Sequence, residues 1–573
     1  MKRVFGYLAK FKKEAILAPL FKMLEATFEL LVPLVVKSLV DVGIRNADKP
    51  YIFGMCGLLV LFCIIGFVSA ATAQYFSAKA AVGVATELRH DMFEKVQRFC
   101  HAELDTVGIS NTLTRMTSDL SQVQTGINMT LRLLLRSPFI VFGAMILAFT
   151  IDVRCALIFA VGIPLLLAVV FAVTLVTVPM FRRVQSKLGD VLKSTRGSLV
   201  GARVIRAFCA EDRMTREFDD ENDLLTSMQK KAARISVLLN PLTYLIINAA
   251  VIVLIWTGAV RMEAGLLTQG ALLALYDYMS QILIELIKFA NFIVTVTKSV
   301  ASAERIDEFM ASGDPRTVPD APRDADKPYI SFDHVSFHYP RGGDVLHDIS
   351  FTANRGETVG IIGGTGSGKT TLVNLIPRYY DATGGEVAVD GLDVRAYPGD
   401  DLQSKVGYVP QKAVLFRGSI RDNMRWGKAD ATDAEIVDAI TRAQGEDILR
   451  AKGSLDAAVV EGGKNFSGGQ RQRLTIARAL VRKPEILILD DSASALDYAT
   501  DARLRATIRA AENPPTTFIV SQRAASVMHA DKIIVLDDGA AVGIGRHEEL
   551  LETCPVYREI YDSQFRKGDA ADD

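Results

Sequence analysis

Long apolar segments fill the first 300 residues of the chain and constrain its fold more than any other feature. An α-helix of about 20 apolar residues is long enough to cross the hydrocarbon core of a bilayer. Segments of this kind predict spanning helices at Ala15–Val40, Ile52–Ala73, Ser137–Phe149, Cys155–Met180, Val237–Val260 and Ala271–Val296. The third is short, and we expect its helix to begin before Ser137, near Leu131. Six spans would place both ends of the chain on the same side of the membrane.

The loops after the second and fourth spans are long and basic. Their positive residues include Arg89, Lys95, Arg98, Arg115, Arg182, Arg183, Lys187, Arg203, Arg206, Lys230, Lys231 and Arg234. The opposite loops are short and contain Arg45, Lys49, Arg154 and Arg261. Because positive residues are retained in the cytoplasm, the pattern predicts an integral membrane protein whose termini and long loops are cytoplasmic.

The segment before the first span, MKRVFGYLAKFKKE, has apolar residues on one helical face and positive residues around the rest. This pattern fits a helix lying in the headgroup region. It fits equally well a positively charged flank of the first span. The segment has no small-residue cleavage site after a short apolar core, so the sequence predicts no removable signal peptide.

Ionisable residues interrupt two of the predicted spans. Glu25 and Glu29 lie in the first span, and Asp277, Glu285 and Lys288 lie in the sixth. Such groups are costly against lipid and normally face a partner or a cavity. Glu25 and Glu29 are therefore predicted to hold helices together or to line a substrate path, and Asp277 and Glu285 are candidates for the same path. Glu285 and Lys288, three residues apart, could instead pair with each other.

The rest of the chain has the composition of a soluble α/β domain. The sequence predicts a transmembrane domain over 1–310, a Pro- and Asp-rich linker over 311–328, an α/β domain over 329–563 and a polar tail over 564–573. The formal net charge is −1, which gives no electrostatic basis for binding nucleic acid. The six cysteines form no CxxC pair, and we interpret them as small apolar residues rather than metal ligands or disulfides.

A phosphate-binding motif begins the α/β domain. An apolar strand leads into a segment that fits GxxxxGK[ST] and is followed by an apolar helix, as this motif requires. Its residues are Gly363, Gly364, Thr365, Gly366, Ser367, Gly368, Lys369 and Thr370, with Thr371 next in the helix. Backbone N–H groups of such a loop surround phosphates, the lysine reaches the β- and γ-phosphates, and the hydroxyl binds magnesium. The motif predicts a site for ATP and Mg²⁺, and a P-loop ATPase domain.

A second glycine-rich element lies downstream at the start of a predicted helix. Its residues are Ser467, Gly468, Gly469 and Gln470. A helix N-terminus of this composition can bind an anion. The element lies between the P-loop and the strand LILD, which argues against an ordinary glycine-rich helix start.

These motifs in this order resemble the ATP-binding cassette (ABC) exporters, in particular half-transporters of the multidrug type. The resemblance extends over almost the whole chain and includes GARVIRAFCAEDR and SAERIDEFM. It implies a six-helix transmembrane domain, followed by an α/β ATPase domain with a helical subdomain. It also implies that two cassettes meet head to tail, with each nucleotide held between one P-loop and the opposite SGGQ. Coupling helices are then expected near Leu104–Thr114 and Ala207–Arg213.

The resemblance assigns roles to further residues. Tyr339 resembles the aromatic that stacks on adenine, and Asp497 resembles the residue that crosses the cassette dimer. Gln411 resembles the glutamine that contacts magnesium and the membrane half. Asp490 resembles the magnesium-side carboxylate, so the implied metal set is Thr370, Gln411 and Asp490.

Two positions depart from the family pattern, and both belong to the hydrolysis step. Asp491 stands where the family has the glutamate that activates water, and Gln522 stands where it has a histidine near the γ-phosphate. Aspartate is shorter by one methylene, about 1.5 Å, and misplacement by about 1 Å can cost ~10²-fold in rate. Glutamine can donate a hydrogen bond but carries no charge. The pair of departures predicts a site that binds ATP and hydrolyses it poorly.

An intact SGGQ beside a weak catalytic site favours a heterodimer, in which a second half-transporter supplies the missing glutamate and histidine. A homodimer with slow hydrolysis remains the alternative, because aspartate is still a carboxylate. The predicted function is ATP-driven export of amphipathic drugs, lipids or peptides across a prokaryotic inner membrane by alternating access. A lipid flippase, an ATP-binding scaffold or regulatory subunit, and a siderophore importer on the same fold remain open.

Overall fold

The computed structural model describes residues 2–312, 323–324, 326–340, 342–398 and 400–565. Most of the predicted linker and all but the first two residues of the predicted tail lie outside these ranges. The chain forms two compact units. The helical unit contains residues 1–97 and 110–311, and the sheet unit contains residues 98–109 and 312–573. A short segment from the first half of the chain therefore belongs to the second unit.

Twelve α-helices precede the first strand within the described residues. They are α1 Lys2–Leu8, α2 Lys12–Ser38, α3 Lys49–Arg98, α4 His101–Val107, α5 Ile109–Thr114, α6 Leu120–Leu133, α7 Arg136–Ile151, α8 Val153–Val200, α9 Ala202–Ala207, α10 Glu211–Val237, α11 Leu239–Glu263 and α12 Gln269–Ala311. Helix α4 belongs to the sheet unit. The other eleven helices lie in the helical unit, except for the last residue of α3 and the first residue of α5. Two π-helical turns, Leu39–Ile44 and Arg115–Asp119, follow α2 and α5.

Five helical stretches among the described residues are long and apolar enough to cross a membrane. Helix α2, the first predicted span, has 27 residues but contains Lys22, Glu25 and Glu29. The third predicted span is helix α7, which begins at Arg136 after a turn that separates it from α6. Several helices also continue well beyond their apolar segments. In α3, small and apolar residues such as Ala81, Ala85 and Leu88 remain buried after the predicted end of the span.

Small residues allow the helices to approach closely. A Cβ atom on Gly126 of α6 would lie 2.1 Å from the Ser299 hydroxyl of α12. The Tyr278 hydroxyl of α12 donates to the Leu30 carbonyl of α2 at 2.8 Å. Close approach through small residues and hydrogen bonds between helices are the usual sources of stability in membrane bundles. They fix the register of α12 against its neighbours.

The N-terminal segment is helical, as one of its two interpretations requires. Helix α1 leads through a 3₁₀ turn, Ala9–Phe11, into α2. The Tyr7 hydroxyl donates to Asp91 of α3 at 2.5 Å, and Lys10 pairs with Glu87 at 2.6 Å. These contacts hold the segment against α3.

Strands and further helices build the sheet unit. The strands are β1 Ile330–His338, β2 Asp344–Ala353, β3 Thr358–Gly363, β4 Gly384–Val389, β5 Leu392–Asp393, β6 Val406–Val409, β7 Gly418–Ser419, β8 Ala458–Val459, β9 Ile486–Asp490, β10 Thr516–Val520, β11 Lys532–Asp537 and β12 Ala540–Gly545. The helices are α13 Lys369–Leu375, α14 Asp401–Lys405, α15 Ile420–Arg425, α16 Asp433–Arg442, α17 Glu446–Lys452, α18 Gly468–Leu480, α19 Tyr498–Arg509, α20 Ala524–Val527, α21 His547–Thr553 and α22 Pro555–Phe565.

The strands form two main sheets. One has the order β2-β1-β4-β5 and is antiparallel, and the other has the order β12-β11-β3-β10-β9-β6. Within the second, β11, β3, β10, β9 and β6 are parallel. Ligands of open parallel sheets bind beyond the carboxyl ends of the strands, where β3 and β9 deliver the P-loop and Asp490. The predicted fold class, a helical transmembrane domain followed by an α/β domain, is confirmed.

Candidate functional site

The P-loop follows β3 directly and leads into helix α13. Gly366 and Gly368 have φ angles of +85° and +92°, a conformation that favours glycine. A Cβ atom on Gly363 would lie 2.1 Å from the Leu536 carbonyl oxygen. The glycines therefore let the loop turn tightly against β11.

Lys369 is held inside the loop that it serves. Its Nζ donates to the carbonyl oxygens of Gly363 at 3.0 Å and Gly364 at 2.5 Å. Burial lowers the pKa of the ammonium, and the carboxylates of Asp491 and Asp490 oppose that shift. A phosphate offers this cation stronger acceptors than two neutral carbonyls.

Asp490 ends β9 as an almost fully buried carboxylate, 1% exposed. Its oxygens accept hydrogen bonds from the Thr370 hydroxyl at 2.9 Å and the Tyr408 hydroxyl at 3.2 Å. Burial raises the pKa of Asp490, the two hydrogen bonds act against the rise, and the Asp491 charge adds to it. A divalent cation would offset both the cost of burying the Asp490 charge and its repulsion by Asp491.

The residues present fit magnesium. Mg²⁺ prefers hard oxygen ligands and is usually held by one or two protein groups together with substrate phosphates. Thr370, Asp490 and Gln411 all line the cavity and have side-chain oxygen atoms. When bound there, the ion would neutralise phosphate charge.

Asp491 follows Asp490 in an unusual backbone conformation. Its φ angle is +45°, a left-handed region that aspartate enters more readily than most residues with a side chain. Its Oδ2 accepts a hydrogen bond from Gln411 Nε2 at 3.2 Å. The short carboxylate is thus held toward Gln411 at the edge of the cavity.

Gln522 lies in the same cavity, which has a volume of about 220 Å³. Its lining also includes the P-loop, Gln411, Asp490 and Asp491. The Gln522 side chain is exposed, while its carbonyl accepts a hydrogen bond from Gln564 at 2.8 Å. The structure therefore brings both departures from the family pattern to the predicted phosphate site.

The Ser467–Gln470 element lies outside this cavity, on the exposed N-terminus of α18. The Ser467 hydroxyl accepts from the Gln470 N–H, and the Gln470 side chain accepts from the Ser467 N–H at 3.0 Å. This reciprocal capping pre-organises the helix N-terminus. A Cβ atom on Gly468 would meet nothing within 4 Å, whereas one on Gly469 would lie 3.0 Å from the Ala495 carbonyl oxygen.

In a chain that also carries Asp491→Glu and Gln522→His, Gly468→Asp is expected to leave ATP binding unchanged and to reduce hydrolysis by about 10²-fold. The new side chain has room, but its charge would repel a phosphate at the helix N-terminus. ATP affinity and steady-state ATPase activity in lipid would be compared with those of Gly468→Ala, which adds the Cβ without the charge. Equal loss in both variants would contradict an electrostatic role.

Two other predicted nucleotide residues have local partners. Asp497 caps α19 by accepting from the Thr500 N–H at 3.0 Å, and its hydrogen bonds lower its pKa. The Tyr339 ring packs edge-on against Tyr380, with ring centres 5.3 Å apart, and its hydroxyl lies 3.0 Å from the Thr371 hydroxyl. Neither lines the cavity around the P-loop. Their assigned roles remain predictions.

Helix α4 overlaps the first predicted coupling helix and packs on the sheet unit. The His101 ring stacks on Tyr379 with 4.2 Å between ring centres, and the Tyr380 hydroxyl donates to Asp105 at 2.7 Å. The sequence analysis missed both tyrosines, although the adjacent pair after the P-loop helix was a usable signal. Near the second prediction, α9 ends at Ala207 and is followed by the exposed Phe208.

The acidic residues of the spans meet a buried arginine that the sequence analysis also missed. Arg136 is 6% exposed and donates to Glu285 at 2.5 Å and Glu29 at 2.6 Å. Glu285 also accepts from Ser137 at 2.9 Å and Lys288 at 2.8 Å, while Glu25 pairs with Lys22. The predicted Glu285–Lys288 pair exists, but it is one part of a network that joins α2, α7 and α12. This arrangement holds helices together.

Comparison with known proteins accounts for the combination of spans and phosphate site. The family model for the ABC transporter transmembrane region matches residues 15–286, and the model for the ABC transporter domain matches residues 346–494. An uncharacterized ABC transporter ATP-binding protein of Mycobacterium tuberculosis is 36% identical over 95% of both chains. The chain belongs to the ABC transporter family.

Other relatives place the transporter among fused half-transporters. A Bacillus subtilis ATP-binding/permease protein whose name refers to multidrug export is 31% identical and covers 98% of this chain and 99% of its own. The structure of a bacterial Atm1-family ABC exporter with ATP bound has the same fold, with a TM-score of 0.81, 24% identity and coverage of 97% and 99%. The protein is an integral membrane ATPase coupled to transport, and it works as a dimer.

Proposed function

We propose that this transporter exports amphipathic compounds and that its own nucleotide site binds ATP but hydrolyses it slowly. One observation carries the second part. Asp491 and Gln522 replace both residues that the family uses to activate water, and they line the cavity formed by an intact P-loop. The cation, hydroxyl and buried carboxylate that bind phosphate and magnesium are all present, so the expected defect lies in the chemical step.

The geometry around Asp491 supports slow hydrolysis. A general base must reach the attacking water with its carboxylate within hydrogen-bond distance. The side chain of Asp491 is shorter than the family residue, and Gln411 holds one of its oxygens at 3.2 Å. Gln522 cannot become cationic, so it stabilises developing phosphate charge less than a protonated histidine would.

The exposed Ser467–Gln470 element supports pairing with a different half-transporter. Its capping is complete and the Gly468 position is open, as an element that closes a partner's nucleotide site requires. The chain would then contribute a sound SGGQ to a partner that contributes the effective catalytic residues. A homodimer is the second candidate, favoured by the carboxylate that Asp491 retains.

Alternating access links the two activities. ATP would close the paired cassettes, and hydrolysis at the competent site would reopen them. Helix α4 contacts Tyr379 and Tyr380. A movement of the cassette would therefore be transmitted through α4 to α3 and α5, its neighbours in the chain. The multidrug names of two relatives support the proposed amphipathic cargo class. The basic long loops favour a cytoplasmic cassette at a prokaryotic inner membrane.

The test is steady-state ATPase activity of the purified chain in lipid, beside an Asp491→Ala variant. We expect both to bind ATP and both to be nearly inactive. Activity that appears only when a second half-transporter is added would support the heterodimer. High activity of the natural chain that alanine abolishes would establish Asp491 as an effective base and leave the homodimer.

A further inference from the structure

Helix α12 carries a stripe of polar residues along one face. The stripe consists of Asp277, Gln281, Lys288, Asn291, Thr295 and Lys298, interrupted by Ile284. The residues recur every three or four positions and are half-buried or exposed, whereas Tyr278, Ile282 and Leu286 on the other faces are buried. Polar groups within a span normally face the bundle interior or a water-filled cavity rather than lipid. Within the predicted span, Asp277 and Gln281 therefore mark the side of α12 that is turned away from lipid.

Most ionised groups near this stripe already have partners of opposite sign. Glu285 contacts Arg136 and Lys288, and Glu29 contacts Arg136. Glu25 pairs with Lys22. The three carboxylates and three cations of this network balance, so it has no spare negative charge for a ligand.

Asp277 is different. No side-chain hydrogen bond or ion pair reaches its carboxylate from any residue that the structure describes. It lies eight residues, about 12 Å, inside the start of α12 and within the predicted span Ala271–Val296. A lone ionised carboxylate within a span is costly. The position therefore favours binding of a positively charged group that does not belong to the helical unit.

Gln281 provides a second free acceptor one turn away. Its Nε2 lies 3.4 Å from the Glu29 carbonyl oxygen, while its Oε1 is buried and has no hydrogen-bond partner in the described residues. A carboxylate and an unpartnered carbonyl oxygen on one helix face suit a cation that can also donate hydrogen bonds.

We propose that Asp277 and Gln281 form a subsite for the ammonium or guanidinium head of an amphipathic cargo. This inference deepens the proposed function and rests on it, because it names the charge class of the compounds that enter the pathway. The carboxylate supplies the counter-charge, and the Gln281 carbonyl, which has no partner, accepts an N–H after rotation of its side chain toward the cargo. The apolar remainder of the cargo would lie along Ile284 and neighbouring side chains.

The test measures binding to the full chain in neutral-lipid nanodiscs without ATP. The probes are a fluorescent alkylamine, its N-acetylated neutral analogue and a fluorescent carboxylate of equal chain length. We expect the natural chain to prefer the amine. Asp277→Asn, which keeps the shape and removes the charge, should weaken amine binding at least about tenfold and leave the neutral probe unchanged. Asp277→Glu should retain most of the preference.

Asn291→Ala serves as the matched control, because it removes an exposed polar group from the same stripe without changing charge. Equal amine affinity in the natural chain and Asp277→Asn would overturn the subsite and indicate a protonated carboxylate. Equal weakening of all probes, or loss of the dimer, would overturn it in favour of a structural or intersubunit ion pair. If no probe of any charge binds the natural chain, the amphipathic cargo class itself fails. Binding that is independent of charge defeats this inference alone.

Discussion

The Asp491→Glu, Gln522→His double variant is expected to hydrolyse ATP about 10²-fold faster than the natural chain when each is purified in lipid. Glutamate extends the carboxylate by about 1.5 Å, the scale on which positioning changes rates by ~10²-fold. Histidine adds a group that can carry positive charge near the γ-phosphate. Steady-state phosphate release at saturating ATP would measure the gain.

The two substitutions should act together rather than independently. Residues that serve one chemical step usually show non-additive effects, so each single variant should recover only part of the activity. Glutamate at position 491 must also accept a φ angle of +45°, which offsets some of the gain. Full recovery by Asp491→Glu alone would identify side-chain length as the limiting defect.

The control is the same double variant with Lys369→Met, which should bind ATP weakly and remain inactive. Self-association and ATP binding would be measured in parallel, since hydrolysis needs a second SGGQ element. If the double variant binds ATP and dimerises yet stays inactive, the two departures do not limit the reaction. A natural chain already as fast as the double variant would contradict slow hydrolysis.

Arg136→Met is expected to destabilise the helical unit by about 3–5 kcal/mol, the range for breaking a buried ion pair on one side. The substitution keeps an unbranched apolar stem but leaves Glu285, 2% exposed, without its closest cation at 2.5 Å. Glu29 loses its partner as well. Retention of a monodisperse peak after heating in detergent would measure the loss.

Lys288→Met provides the matched control. Lys288 contacts the same Glu285 carboxylate at 2.8 Å, but its side chain is 45% exposed. A half-exposed pair contributes at most about 1 kcal/mol. This variant should therefore lose its monodisperse peak at almost the same temperature as the natural chain. An Arg136→Met, Glu285→Gln double variant should recover part of the stability, because the buried charge is removed with its partner. Equal stability of Arg136→Met and the natural chain would show that the ion-pair network does not stabilise the helical unit.

The sequence predicted local features well. The P-loop could be found from residue spacing, because its glycines and lysine act within one strand-loop-helix unit. The neighbouring carboxylates Asp490 and Asp491 could be found because they follow an apolar strand whose end faces the ligand side of the sheet. The apolar spans depend on composition over about 20 residues, and their helices were correspondingly placed near the observed ones.

Long-range pairings could not be predicted in this way. Arg136 meets Glu285 across 149 residues, and Tyr380 meets Asp105 across 275. Neither pairing leaves a periodic or spacing signal in the sequence. The same holds for Asp277, whose importance depends on which of its neighbours already have partners. Helix ends beyond the apolar segments were also missed, because they depend on packing rather than hydropathy.

Helix α3 extends 50 residues, about 75 Å, against a hydrocarbon core of about 30 Å. One continuous helix is therefore surrounded by lipid along its apolar segment and extends into water beyond it. The buried alanines beyond Ala73 pack against protein in the aqueous part. Lipid composition should change the stability of the membrane-embedded part of α3, and denaturant that of the aqueous part. The helices can therefore separate in the aqueous part while they remain packed in the membrane.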